Sequence, residues 1–417
     1  MSTLQVLNPA TGQTIATLPA DDAASVAAKA AAARAAQPAW AALPMAERLA
    51  CIQRFRAGLV AELDALAATL TQEMGKPVSQ ARNEINGLLG RIDFFLEQAE
   101  PSVADEHVFD GGGMHEQIAH VPLGVVANIS AWNYPWFVGC NVIVPALLTG
   151  NAVLYKPSEL TPLTGLNITR LLHAAGVPAD VLPCLVGGGD VGAALLQQRI
   201  DGLFFTGSHA TGQRIAVALA PRLVKLQLEL GGKDPSYVRE DMASPADLKA
   251  AAESLADGAM YNTGQSCCSV ERIYVHESIH DAFVDHFLAT VATLKAGDPM
   301  AADTTIGAIA RAPQLAVLEA QVADAVAKGA TLLTGGKRRP GPGNGFEPTV
   351  LTNVNHTMEL MREESFGPVI GIQKVSGDEE AVALMNDTRY GLTAGVYTRD
   401  EAAARALLSR VNAGSVY

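Results

Sequence analysis

The stretch GVVANISAWNYPWFVGCNVIVPALLTGNAVLYKPSE, residues 124–159, decides the fold. An apolar run of strand length (124–129) is followed by a turn rich in Asn, Tyr and Pro. A helical stretch then covers roughly 136–148, and a second apolar run covers 152–156. Residues 121–155 hold no Asp, Glu, Lys or Arg, and an uncharged run that long raises the question of a membrane helix. Pro122, Asn128, Asn133, Pro135, Asn141, Pro145 and Asn151 interrupt it every few residues, so it reads as buried strand, loop, helix and buried strand.

Outward from there the alternation continues. Further apolar runs lie at 181–186, 202–205 and 223–228, with helical patterns at 162–175, 190–198 and 209–219. Five buried strands joined by helical crossovers imply an α/β fold with a parallel, Rossmann-like sheet. Upstream, Asn8-Pro9-Ala10-Thr11-Gly12 is a turn. An Ala-rich helix follows from about 22 to 36 and is broken by Pro38, and amphipathic helices cover 45–72 and 80–98. Between 104 and 122, Gly111-Gly112-Gly113 separates two extended segments, the pattern of a hairpin. A second α/β pattern starts near Asp234 and includes a buried strand at 272–275.

Composition narrows the function. A chain of 417 residues exceeds the size at which one core stops growing, so two or more domains are expected. The net charge of −13 opposes nucleic acid and anionic membrane as partners. Cys51, Cys140, Cys184, Cys267 and Cys268 show no CxxC or finger-like spacing, which suits free thiols in a reducing compartment. Residues 1–9 lack the basic start and apolar core of a secretory signal, so a cytoplasmic setting is expected.

Six segments carry chemistry. Gly264-Gln265-Ser266-Cys267-Cys268 offers a thiolate, which adds well to a carbonyl carbon and also leaves well. Glu229-Leu230-Gly231-Gly232-Lys233 follows an apolar strand, and a carboxylate there could activate water if burial raised its pKa. Asn133 can donate its amide to an oxyanion. Lys156-Pro157-Ser158-Glu159 falls at a strand's carboxyl end, where Lys and Glu could bracket ribose hydroxyls. Phe205-Thr206-Gly207-Ser208 opens a helix whose amides suit a pyrophosphate. Glu363-Glu364-Ser365-Phe366-Gly367-Pro368 is the sixth. Singly, each has a bland alternative: a core thiol pair, a solvated carboxylate, a turn-making Asn.

Taken in chain order, from Asn133 to Glu363-Glu364, the six motifs make the chain resemble the aldehyde dehydrogenase superfamily, from the Asn8-Pro9 turn to the last residue. The resemblance implies an NAD(P)-dependent, non-acylating enzyme. It would have a Rossmann-like NAD domain (1–103 and 123–230), an oligomerisation hairpin (104–122) and an α/β catalytic domain (231–417). It also implies the roles: Cys267 as nucleophile, Glu229 as general base and Asn133 as oxyanion donor. Lys156 and Glu159 would meet the adenosine ribose, Gly207 and Ser208 the pyrophosphate, Glu364 the nicotinamide ribose, and Phe366 the ring. NAD is the expected cofactor, with NADP as the alternative, and a homodimer or homotetramer the expected assembly. Relatives continue beyond Gly414-Ser415-Val416-Tyr417, so the resemblance implies a catalytic domain whose C-terminal end is missing.

Two further patterns match known motifs by spacing alone. His276-Glu277-Ser278-Ile279-His280 matches the zinc motif HExxH. However, His276 should end a strand and Ser278 should cap the next helix, so the two rings diverge and no metal is expected. Gly187-x-Gly189-x-x-Gly192 lies in the third βα unit without the expected acidic residue, and is read as shaping the adenine side. Tyr134, Trp136 and Phe137 suggest an apolar, aromatic channel for uncharged aliphatic or aryl aldehydes. A semialdehyde-specific enzyme and a catalytically silent NAD-binding or scaffold relative stay open as rivals.

Overall fold

The computed structural model describes residues 2–417, which divide into two compact units. The first comprises residues up to Leu7, Thr14–Glu73 and Ala81–Glu229. The second comprises Asn8–Gln13, Met74–Gln80 and Leu230–Tyr417.

The first unit begins with an antiparallel pair, β1 (Thr3–Leu7) and β2 (Thr14–Pro19), of which the sequence had shown only the turn. Helix α1 (Ala23–Ala41) starts in a capping box. Asp22 accepts from Ser25 N and Ser25 Oγ accepts from Asp22 N, so each satisfies an orphan amide. Pro38 does not break α1 as expected. The helix runs through it, and its last turn is held by buried Trp40, whose Nε1 donates to Leu147 O at 2.9 Å. Helices α2 (Met45–Met74) and α3 (Val78–Ser102) follow, then the hairpin β3 (Glu106–Gly111) and β4 (Met114–Ile118). Gly112 and Gly113 turn that hairpin at φ +61 and +82.

The parallel sheet is built from β5 (Val125–Ile129), α4 (Pro135–Leu148), β6 (Ala152–Lys156), α5 (Pro162–Ala174), α6 (Gly189–Leu196), β7 (Gly202–Thr206), α7 (His209–Leu219) and β8 (Lys225–Glu229). Its strand order is β6-β5-β7-β8, all parallel. This corrects two expectations. The run 181–186 is not a fifth strand. It lies along β6, with Val153 N donating to Val181 O and Leu185 N to Tyr155 O, but Pro183 has no N–H and only a bridge between Tyr155 and Cys184 forms. The last strand is not buried either: β8 is an edge whose residues alternate exposed and half-buried.

The second unit holds β9 (Asp234–Val238), α8 (Pro245–Met260), β10 (Val270–His276), α9 (His280–Val291), α10 (Ala312–Ala327), β11 (Thr331–Thr334), β12 (Thr349–Thr352), α11 (Glu359–Arg362), β13 (Val369–Val375), α12 (Asp378–Asn386), β14 (Thr393–Tyr397), α13 (Glu401–Leu408) and β15 (Ser415–Val416). Its sheet order is β11-β12-β13-β10-β9-β14-β15, parallel except for β11. Two apolar cores build up around this sheet. One includes Tyr237, Tyr274, Leu318 and Phe346, and the other Ile273, Phe283, Phe287 and Ile370. Among the described residues no helix is long and apolar enough to cross a membrane.

Candidate active site

In the first unit every candidate lies at or just beyond the carboxyl end of a parallel strand, and the strand order reverses about β5, the arrangement at which open α/β sheets take ligands. Asn133 follows β5 and is buried. The turn that carries it is fixed by a residue the sequence did not flag: Glu84 of α3 accepts from Trp136 N at 2.9 Å and Phe137 N at 3.3 Å, capping α4. Lys156 ends β6 with its side chain buried, and burial lowers its pKa. Its Nζ donates to Pro157 O at 3.0 Å and stands 3.8 Å from Glu159 Oε2, while Glu159 itself is half exposed.

A Cβ on Gly192 would come within 3.7 Å of the Lys156 stem, so the first turn of α6, which carries the end of the Gly187-x-Gly189-x-x-Gly192 pattern, walls that lysine. Gly207 follows β7, and any side chain there would meet the Phe205 ring at 2.6 Å. Ser208 is the N-cap of α7, its Oγ accepting from Thr211 N. The first-turn amides of such a helix are what a pyrophosphate takes. A glycine that admits only backbone, a helix start and a buried lysine thus fit a dinucleotide. Glu229 differs from expectation. It is the last residue of the edge strand and is solvent-exposed, bonded to Gln227 Nε2 at 3.2 Å. The burial on which its sequence argument leaned is therefore absent.

In the second unit, Cys267 sits on a loop under strain. Asn262 and Thr263 both adopt left-handed φ, +54 and +58, followed by Gly264 at +71. Non-glycine residues in that region cost on the order of 1 kcal/mol or more each, so the surroundings must enforce them. They do so through polar side chains. Asn262 N donates to Gln80 Oε1, Gly307 N to Thr263 Oγ1, Gln265 Nε2 to Ala308 O, and Ala310 N to Gln265 Oε1. The sequence had marked Gln265 only as part of a motif; its amide is the pin of the loop. Gly264 has a separate reason, since a Cβ there would fall 2.2 Å from Gly367 O. Cys267 is partly buried and Cys268 exposed. The hydrogen bond between the two thiols is the largest influence on both, raising Cys267 and lowering Cys268, with burial also raising Cys267. The pair therefore shares its first lost proton.

The Glu364 loop reaches the same place. Glu364 Oε1 accepts from Gly232 N at 3.1 Å, and its carboxylate fills the space a Cβ of Gly231 would need. Burial pushes the Glu364 carboxyl up to about 8. Phe366 stands at φ +48. Beneath this loop lies a buried ion pair that the sequence did not reveal. Lys233 Nζ is 2.5 Å from Glu271 Oε2 and donates to Ser365 Oγ at 3.0 Å. Glu271 in turn accepts from Ser365 N and Phe366 N, at 2.8 and 3.0 Å. Arg272, fully buried, donates to the carbonyls of Lys233, Leu384 and Met385. These bonds join the segments carrying Gly231–Lys233 and Glu364–Phe366, and the Gly264–Cys267 segment packs on both through the close approach of Gly232 to Cys267 O and of Gly264 to Gly367 O.

His276 closes β10 and His280 opens α9. Each ring faces its own carboxylate, Glu240 and Asp281 respectively, so the HExxH pattern builds no shared face. The helix is capped at Ile279 rather than at Ser278, whose hydroxyl bonds His276 instead. Among the described residues no group of three His, Cys, Asp or Glu is placed to hold a metal ion.

Residues 1–417 match the aldehyde dehydrogenase family. The chain is 39% identical over its whole length to 85% of a 3,6-anhydro-alpha-L-galactose dehydrogenase of Streptomyces coelicolor. It is 36% identical over 95% of its length to 82% of a glutarate-semialdehyde dehydrogenase of Pseudomonas putida. A solved E. coli NADP-dependent enzyme superposes with a TM-score of 0.96 at 32% identity, covering 100% of this chain and 86% of that one. The chain belongs to the aldehyde dehydrogenase family and is an NAD(P)-dependent enzyme that oxidises aldehydes.

Proposed function

We propose that this enzyme converts an aldehyde to a carboxylate through a hemithioacetal and then a thioester on Cys267. The observation that carries the reading is the Cys267 loop itself, held in strained backbone by Gln80, Thr263 and Gln265 and packed against Gly232 and the Glu364 loop. Strain enforced by surrounding hydrogen bonds is a mark of functional loops.

In this mechanism the Cys267 thiolate adds to the carbonyl carbon, and the carbonyl electron pair moves to oxygen, where the Asn133 amide donates a hydrogen bond. The bound nicotinamide supplies the hydride acceptor. Water then attacks the thioester, Glu229 takes its proton, and Cys267 leaves as the thiolate. Lys156, Glu159, Gly207 and Ser208 would hold the adenosine and pyrophosphate side of the cofactor, and Glu364 and Phe366 the nicotinamide side. NAD is the proposed preference, because Glu159 would stand against a 2′-phosphate. With Glu229→Gln, rapid mixing should give one equivalent of reduced cofactor and then stall with an acyl adduct on Cys267. Full steady turnover in that variant would remove Glu229 from the deacylation step.

The assembly proposed is a homodimer or homotetramer joined through β3 and β4. Val108, Phe109, Met114 and Ile118 on that hairpin are exposed, and an isolated two-stranded hairpin is marginal in water. Light scattering that shows a monomer would refute this.

A further inference from the structure

Arg91 is a cation with aromatic neighbours and no acid. Its guanidinium lies 5.6 Å from the Phe137 ring centroid, 5.7 Å from Phe94 and 6.0 Å from Phe95. Among the described residues it has no ion pair or hydrogen bond, although the chain carries 43 acidic against 30 basic residues. The acid two positions on, Asp93, is already committed to Arg56 through bonds of 2.6 and 2.8 Å. A guanidinium laid over aromatic faces is held in place by the ring quadrupoles while its N–H donors, directed in the guanidinium plane, stay available.

The position of this cation matters. Glu84 and Arg91 are two helical turns apart and so share a face of α3. At the Glu84 end this face is bonded to the first turn of α4, immediately after Asn133. At the other end Arg91 overlies Phe137, which is one turn beyond Asn133. Between and beside them stand Gly87 and Gly90, where an added Cβ would meet nothing within 4 Å. Mid-helix glycine costs about 1 kcal/mol relative to alanine, and here two of them keep the strip beside Arg91 free of side chains. From Asn133 along one turn of α4 and out to the guanidinium is on the order of 10 Å. A five- or six-carbon aldehyde acid has that reach.

We propose that Arg91 is a specificity-determining residue that binds the carboxylate at the far end of an ω-carboxylated aldehyde, with the chain of the substrate lying along Gly87 and Phe137. This rests on the reading of Asn133 as the oxyanion donor. It replaces the uncharged aldehydes suggested by Tyr134, Trp136 and Phe137 alone: Trp136 is fully buried and withdrawn from any channel, Phe137 flanks the stem, and Arg91 reads the end.

The test is the ratio of kcat/KM for 5-oxopentanoate to that for pentanal, equal in chain length and differing in the terminal charge. The wild-type ratio should exceed about tenfold, in keeping with a charge-assisted hydrogen bond. Arg91→Gln should lower that ratio roughly tenfold or more. Arg91→Lys should fall between, because it keeps the charge and loses the fork. Raising NaCl from about 0.05 to 0.5 M should lower the ratio in the wild type and leave it flat in Arg91→Gln. A wild-type ratio near one, or a ratio unmoved by Arg91→Gln and by salt, would overturn the proposal. Should Arg91→Gln not fold, Arg91→Lys and the salt series decide it. The underlying reading fails separately: Asn133→Ala that leaves pentanal turnover intact would remove the oxyanion role whatever the ratio does.

Discussion

Glu271→Gln isolates what the buried ion pair contributes. Lys233 and Glu271 are 0% and 5% exposed and 2.5 Å apart, and burial already lowers the Lys233 pKa. Taking the negative charge away while keeping the shape leaves a buried ammonium facing a neutral amide. Breaking a buried pair from one side costs about 3–5 kcal/mol, a large share of the 5–15 kcal/mol typical of a domain. For a unit of this size each kcal/mol moves Tm by about 2–4 °C, so a fall on the order of 10 °C is expected in calorimetry. A second effect is local. The glutamine has one acceptor oxygen where the carboxylate served both Ser365 N and Phe366 N. One of those amides loses its partner, the left-handed Phe366 is no longer enforced, and cofactor affinity should weaken well below the melting range. The double variant Lys233→Met with Glu271→Leu separates the two effects. Apolar replacement of a buried pair is often neutral or stabilising, so the part of the Tm loss due to the unpaired ammonium should be regained. The amides of Ser365 and Phe366 then both lack acceptors, at about 1–3 kcal/mol each, so Tm should recover only in part and affinity should not. A shift below about 2 °C in Glu271→Gln, or recovery of both quantities in the double variant, would refute the reasoning.

That pair shows where the sequence stops being legible. The parallel sheet could be read because its strands are short apolar runs separated by helical periodicity, and β6, β7 and α7 fall close to where that periodicity puts them. The run 181–186 has the same apolar signature, and Pro183 is what keeps it out of the ladder, a single missing donor that hydropathy does not register. Glu229 and Glu271 mark the converse failure. Both are glutamates on strands. The one marked for burial lies on the exposed edge β8, and the one left unmarked, just outside the strand read at 272–275, is buried in β10. Strand order across a sheet determines which is which, and order is not written in local periodicity. Glu84, Gln80 and Arg91 escaped for a related reason: their partners are brought near by tertiary packing, as with Glu84 and Trp136, 52 positions apart. Motifs were legible because their chemistry is local; the residues that hold them were not.

The remaining expectations concern the thiols, the cofactor and a buried acid. Cys267→Ala should lower kcat/KM by roughly a thousandfold or more while cofactor still binds, and Cys268→Ala should stay within about tenfold. Steady-state kinetics with the outcomes exchanged would move the nucleophile to Cys268, the more exposed thiol and the one whose pKa the pair lowers. NAD should exceed NADP in kcat/KM. At ~4 Å and an effective dielectric near 20 the like-charge cost against Glu159 is at most about 4 kcal/mol, and the half-exposed side chain can swing away. Equal values would refute the preference. Glu73 of α2 supplies the pH dependence. Its two oxygens accept from Leu163 N and Thr164 N, capping α5 just after the Lys156–Glu159 segment, and among the described residues no cation acts on it. Burial raises its carboxyl from 4.5 to about 8. The folded state therefore holds a proton that the unfolded chain releases near 4.5. The stability from this group is fully present below that pH and is lost as pH rises to about 8. Glu73→Gln does not titrate, so its cost relative to the wild type should shrink between pH 5.5 and 9 in urea unfolding. A cost that stays level or grows over that interval would mean that the α5 amides hold Glu73 ionised against its burial.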